Sequence, residues 1–297
     1  METVPAKHLL QKTRSPAWFG TEYNLNLYRG CCHGCIYCDS RSDCYQMDHA
    51  FEDVEVKANA PALLEQALRR KRKKCMIGTG AMSDPYNPIE AELGLTGACL
   101  ELIERYGFGA AVLTKSDLIL RDIDLLERIH RKTRCVVQMT LTTFDESLCR
   151  IVEPNVCTTR RRYEVLKAMQ ARGIPTVVWL SPILPFLNDT EENLRGILDL
   201  CFDAGVSGIL CFGMGVTLRA GDREYFYAAL DRHFPGLRRQ YEHTFGNAYV
   251  CDSSDSGKLM EIFHTECAAR GVLHDVDGIF RFLDEFPDSA ADQLSLF

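Results

Sequence analysis

Between Asn24 and Phe212 the sequence alternates between two textures. Short apolar runs rich in β-forming residues lie at Asn24 to Tyr28, Cys75 to Gly78, Ala110 to Thr114, Cys135 to Thr143, Thr176 to Ser181 and Gly208 to Phe212. Amphipathic helical patterns follow most of them, at Pro61 to Lys74, Leu95 to Tyr106, Asp122 to Lys132, Thr158 to Arg172 and Glu191 to Ala204, with Gly107, Gly173 and Gly205 where C-terminal caps belong. Parallel strands need a helix-length crossover, so a repeated strand and helix unit builds a parallel sheet. Six such strands predict an α/β fold, a partial (β/α)6 barrel of TIM type with function gathered at the C-terminal ends of its strands.

The rest of the chain follows from that frame. Residues 1–215 form the barrel core. Residues 216–286, with "REYFYAALDRHF", "SSDSGKLMEIFHTECAARG" and "VDGIFRFLDEF", read as a helical extension closing the open side or bottom of the barrel, and 287–297 as a polar, flexible tail. No apolar run is long enough to span a bilayer and no signal peptide precedes the core, which predicts a cytoplasmic protein with no membrane partner. In that reducing compartment fourteen cysteines are poor candidates for disulfides. Scattered ones such as Cys99, Cys149, Cys201 and Cys267 read as small core residues. A net charge of -7 argues against coating nucleic acid by charge alone. The basic run Arg69 to Lys74 ends a helix on the outside of the barrel, where cations suit the helix C-terminus.

Just past the first strand, "YRGCCHGCIYCDSR" places four cysteines in eight positions. Cys31, Cys35 and Cys38, at C-x3-C-x2-C, can present three thiolates to an iron-sulfur cubane and leave its fourth iron open. The other reading is structural zinc, which wants four closed ligands and would draw the fourth from Cys32, His33 or Cys44.

Five blocks, "NLYRGCCHGCIYCDSR", "GTGAMSDPYNPIE", "VLTKSDLILRDIDLL", "EPNVCTTRRRYEVLKAMQARGI" and "SPILPFLND", resemble in order and spacing the spore photoproduct lyase-like branch of the radical S-adenosylmethionine superfamily. The resemblance extends from about Leu25 to Arg281. It implies a [4Fe-4S] cluster on Cys31, Cys35 and Cys38, with S-adenosylmethionine chelating the open iron. One electron from the reduced cluster then releases a 5'-deoxyadenosyl radical. The electron donor is expected to be a flavodoxin or ferredoxin. The same resemblance implies that Tyr37 lies near the adenine, that Ser83 and Asp84 meet the methionyl end, that Lys115 neutralises the methionine carboxylate and that Thr140 meets the ribose. Arg121, Arg160, Arg161 and Arg162 are expected near strand-end loops, where they could meet an anionic substrate.

One departure stands out. Aligned on its Ser-Asp pair, "GTGAMSDPYNP" puts Ala81 where spore photoproduct lyases carry the cysteine that returns a hydrogen atom to the product, and Asp39 replaces an aromatic after the third ligand. A methyl group cannot donate that hydrogen, so reversal of the spore photoproduct is not expected and the final donor is open. Cys44 reads as an ordinary loop thiol.

The tail "QLSLF", Gln293, Leu294, Ser295, Leu296 and Phe297, resembles the pentapeptide that docks bacterial polymerases and repair proteins on the replicative sliding clamp. The combined expectation is a radical enzyme recruited to DNA for repair or modification at the nucleoid or replisome. Two alternatives stand beside it. One is a radical enzyme acting on RNA, protein or a small molecule; the other is a non-enzymatic iron-sulfur or zinc clamp adaptor.

Overall fold

The computed structural model describes residues 2–13 and 20–287. Strands β1 (Glu2–Thr3) and β2 (Leu10–Lys12) precede β3 (Tyr23–Leu25), and β4 (Tyr28–Arg29) and β5 (Glu55–Val56) flank the cysteine loop. The repeat continues with α1 (Ala60–Arg70), β6 (Met76–Thr79), α2 (Glu90–Leu93), α3 (Leu95–Tyr106), β7 (Gly109–Thr114), α4 (Ile123–Lys132), β8 (Cys135–Thr140), α5 (Glu146–Val152), α6 (Thr159–Ala171), β9 (Thr176–Trp179), α7 (Glu191–Asp203) and β10 (Gly208–Leu210). Beyond it lie β11 (Gly215–Thr217), α8 (Asp222–His233), α9 (Leu237–Phe245), β12 (Val250–Asp252), α10 (Ser256–Arg270) and α11 (Val276–Asp284).

The six expected strands, β3 and β6 to β10, lie side by side in chain order, each neighbouring pair parallel. The curved sheet stays open. On one side β2 pairs antiparallel with β3, and on the other Leu273 bridges Gly208 of β10, its carbonyl accepting from Ile209 N at 2.8 Å. β1, β5 and β4 form a separate small sheet over the cysteine loop, and β11 with β12 makes an antiparallel ribbon in the C-terminal extension. Strands this short carry too little alternation to read from sequence.

Alternation along the strands divides the core. Ile77, Val112, Val137, Met139, Val178 and Ile209 face outward and pack with helix residues such as Leu64, Leu100, Leu126, Leu166 and Ile197. The intervening Met76, Ala111, Val136, Val177 and Leu210 face inward and meet Ile279, Phe280 and Leu283 of α11. Each such large side chain contributes about 1.5–3 kcal/mol when fully buried. Helix α11 therefore plugs the barrel from inside.

Several boundaries differ from the sequence reading. α1 stops at Arg70 because Lys71 is extended; beyond it Lys71 and Lys74 lie over the rings of Tyr23 and Phe108, and Lys73 pairs with Glu22 at 3.9 Å. β8 ends at Thr140, since Asn188 and Asn193 side chains bond the carbonyl of Thr142 in place of a strand neighbour. β9 and β10 also end early, leaving Ser181 and Phe212 in loops. Gly80, after β6, has φ +88° and lies so close to β7 that a Cβ would meet the Leu113 carbonyl at 2.2 Å. That close approach sets the path of the following Ala81 to Asp84 segment.

Candidate active site

The C-terminal ends of the parallel strands open into one cavity of about 970 Å³. It falls at the upper end of the roughly 300–1,000 Å³ usual for small-molecule sites. Asn24 and Asn26 line it from β3 and just beyond, Leu113 from β7 and Lys115 just after it, Thr140 from β8, and Trp179 from β9 and Ser181 from the loop that follows. Cys35, Tyr37 and Cys38 form its wall from the cysteine loop.

Backbone contacts to distant segments hold that loop. Cys31 N donates to Phe51 O at 2.9 Å, Ile36 N to Val152 O at 3.0 Å, Asn155 Nδ2 to Cys32 O at 2.9 Å and Ser83 Oγ to Gly30 O at 2.5 Å. Cys31 is buried, and burial, with the Asp84 charge, pushes its thiol up to about 12. Burial likewise raises Cys35, helped by Glu153, and Cys38. Such thiols ionise when a cation is bound against them. Cys31, Cys35 and Cys38, three free thiols presented by one short loop, are a donor set suited to an iron-sulfur cluster. Cys32, His33 and Cys44 each have other partners: Cys32 faces Asn87, His33 faces Asp84 and Asn155, and Cys44 faces Ser42 and Arg219.

Two buried carboxylates brace the wall. Asp84 accepts from Thr114 Oγ1 at 2.6 Å, Lys115 N at 2.8 Å and Tyr86 N at 2.8 Å, and lies 3.1 Å from His33 Nε2. Burial acts to raise its pKa, but the His33 charge and these bonds hold it below the usual carboxylate range. Glu153 is the second. It pairs with the fully buried Arg162, accepts from Tyr37 Oη and lies 3.8 Å from Lys115 Nζ. Against the effect of burial, Arg162 and then Lys115 pull it down to about 2.

The expected site residues therefore fall into two groups. Tyr37, Lys115 and Thr140 line the cavity, whereas Ser83 and Asp84 direct their side chains at Gly30 and His33, and Ala81 and Met82 face the cavity instead. Arg162 is not available to a ligand: its Nε and Nη1 bond Cys157 O and Thr140 O, both at 2.8 Å. Arg121 pairs with Glu90 and Asp122, and Arg161 with Asp117 and Glu164; Arg160 is exposed beside Tyr163. Sequence reasoning missed Glu153. Its one signal was its place in "EPNVCTTRRR", nine residues before Arg162. The clamp-like Gln293 to Phe297 lies outside the described residues.

Comparison with known proteins adds to this geometry. Residues 25–201 match the model of the Radical SAM superfamily. An uncharacterized protein of Mycobacterium tuberculosis is 31% identical over 250 residues, 82% of this chain and 72% of that one, and one of Methanocaldococcus jannaschii is 34% identical over 190 residues, 63% and 69% of the two chains. In fold, the chain is similar to a spore photoproduct lyase variant with bound AdoMet and dinucleoside spore photoproduct (TM-score 0.63, 14% identity, 92% of this chain and 80% of that one). It is also similar to a radical S-adenosylmethionine methyltransferase from Kitasatospora setae with cobalamin and a [4Fe-4S] cluster bound (TM-score 0.56, 13% identity, 88% and 59%).

Proposed function

Because this chain belongs to the radical S-adenosylmethionine superfamily, whose enzymes bind a [4Fe-4S] cluster and S-adenosylmethionine, we propose that it is a radical enzyme acting on DNA, in repair or modification, and brought there by the sliding clamp. The observation that carries the enzymatic part is the cavity at the strand ends, which Cys35, Cys38 and Lys115 share. Cys31, Cys35 and Cys38 would hold the cluster. When bound, the reduced cluster supplies the electron that cleaves S-adenosylmethionine to a 5'-deoxyadenosyl radical.

The chain's own residues bind, orient and shield. Lys115, whose distance to Glu153 is that of an ion pair rather than a short hydrogen bond, is placed to turn its ammonium toward a methionine carboxylate. Tyr37, fixed by Glu153, offers its ring to the adenine, and Thr140 its hydroxyl to the ribose. Asp84 and Ser83 act one step back, by holding the cysteine loop and the end of β7. Leu113, Trp179 and Val216 make the wall partly apolar and limit water around a reactive intermediate.

DNA as substrate draws support from the dinucleoside held by the lyase of similar fold and from the QLSLF tail. A tethered enzyme needs little intrinsic affinity for DNA, which reconciles the charge of -7 with such a substrate. Ala81 on the cavity wall favours a reaction other than reversal of the spore photoproduct. No helix among the described residues is long and apolar enough to cross a membrane; with the clamp peptide, we place the protein in the cytoplasm at the replisome, reduced by a flavodoxin or ferredoxin.

The test is an anaerobic assay on damaged and undamaged DNA, with and without loaded clamp, reading deuterium transfer into 5'-deoxyadenosine. Transfer that rises with the clamp and falls to the clamp-free level on deletion of Gln293 to Phe297 supports the reading. An intact cluster that yields no 5'-deoxyadenosine with any reductant removes the enzyme and favours the adaptor. Equal clamp binding by full-length and truncated proteins removes the tail as the reason for assigning DNA.

A further inference from the structure

The cavity has a second end, built unlike the first. Six large apolar side chains are exposed among the described residues, and three of them, Phe212 (52% exposed), Tyr249 (45%) and Val250 (50%), line this one cavity. Apolar surface concentrated at one mouth marks a place that a ligand covers. Both rings are held in place. Phe212 packs on Trp179 with ring centres 5.7 Å apart and planes at 66°. Tyr249 Oη accepts from Arg219 Nη2 at 2.7 Å, while Arg219 Nε lies 3.1 Å from Asp39, the residue after the third cysteine of the motif. At the rim, Lys12 of β2 is exposed and has no ion-pair partner among the described residues; Gln11 and Thr13 line the cavity on either side of it.

We propose that this end receives one unpaired nucleobase, stacked on the Phe212 and Tyr249 rings, with its phosphate met by Lys12. The inference rests on the radical-enzyme reading only for what happens to the base after it binds. Every base has a π face, and fixed aromatic side chains bind it with little dependence on sequence. The surrounding groups favour a base over an aromatic amino-acid side chain. Gln11 and Asn24, both on the cavity wall, add donors and acceptors that match a base edge and that a phenyl ring has no groups to meet. A peptide linkage also brings no anion to Lys12. The mouth holds rings and few cations, so it suits a single strand or a nucleotide extruded from a duplex rather than the duplex surface.

The experiment uses the anaerobically reconstituted holoprotein and short single-stranded deoxyoligonucleotides carrying 2-aminopurine, read by fluorescence quenching and anisotropy. Phe212→Ala and Tyr249→Ala should each weaken binding by roughly 5- to 150-fold, the loss of one stacked ring. Tyr249→Phe keeps the ring but loses its bond to Arg219, and should lose less affinity than Tyr249→Ala. Lys12→Gln should flatten the slope of log affinity against log salt by about 0.7, one phosphate on a single strand. Cluster absorbance in each variant reports that it is folded. Unquenched 2-aminopurine on the wild-type protein, unchanged affinity in both alanine variants, or equal competition by a tyrosine-rich peptide would overturn the proposal. Clamp binding and substrate-free formation of 5'-deoxyadenosine, measured in the same preparation, separate its failure from failure of the function proposed above.

Discussion

Replacing Glu153 by glutamine keeps the shape of the side chain and removes the charge at the centre of the site. Arg162 is fully buried; its Nε and Nη1 retain the carbonyls of Cys157 and Thr140, and its Nη2 loses a carboxylate. Breaking a buried pair from one side costs about 3–5 kcal/mol. The amide oxygen can still accept one bond, which points to the lower end, about 3 kcal/mol. The Lys115 contact, longer and partly solvated, adds less than about 1 kcal/mol. In a chain of this size about 1 kcal/mol moves Tm by roughly 2 °C, so the expected drop is roughly 6 °C or more. The assay is thermal unfolding under anaerobic conditions beside Glu191→Gln, which removes an exposed carboxylate paired with Arg195 and Lys258 and should shift Tm by less than about 2 °C. The pH dependence carries the sign. Glu153 is lowered in the folded state, so its contribution is present above the unfolded value near 4.5 and is lost as pH falls toward about 2. The gap between wild type and Glu153→Gln should thus be level above about pH 5 and narrow below it. A Glu153→Gln shift no larger than that of Glu191→Gln would refute the buried-pair account.

Alanine at Cys31, Cys35 or Cys38 should abolish the oxygen-sensitive visible absorption near roughly 400 nm, whereas Cys32→Ala should keep it; zinc without iron in anaerobically purified protein would contradict this. Lys115→Ala should weaken S-adenosylmethionine binding by roughly 10- to 150-fold, the loss of one charge-assisted contact, at unchanged iron content, as measured by equilibrium dialysis. Asp222, at the start of α8, is pushed up to about 6 by burial and then by the Asp39 charge. The folded state holds its proton longer than the unfolded chain, so its contribution is full below the unfolded value of 3.8 and lost as pH rises through about 6. Asp222→Asn should accordingly lose less stability than wild type between pH 4 and 6 in thermal melts.

The parallel core was legible because each strand is a run of core residues and each helix carries one apolar face, patterns set by burial on known periods. Cys31, Cys35 and Cys38 were legible because spacing in one loop is local information. Glu153 was not, because its role depends on Arg162 and Lys115 arriving from α6 and the end of β7, and sequence distance hides that meeting. Asp84 illustrates a subtler limit. The Ser-Asp pair was expected to face the methionyl end, yet Thr114, Lys115 N and His33 surround the carboxylate. A motif locates a segment, and neighbours from other strands decide which of its atoms reach the cavity. Asp39, which looked only like a departure from a pattern, has a partner in Arg219, in the loop between β11 and α8.

The unclosed sheet has a consequence for association and for fit. An open sheet presents strand edges that invite another chain to add on. Here β10 is covered where Leu273 bonds Ile209, and on the other side β2 is only three residues long and ends in Lys12. Both margins are blunt, so the barrel can remain incomplete without recruiting a second copy by strand addition. Among the described residues no hydrogen-bond ladder crosses from β10 to β2. The width of the slot between them is therefore set by side-chain packing rather than by strand pairing.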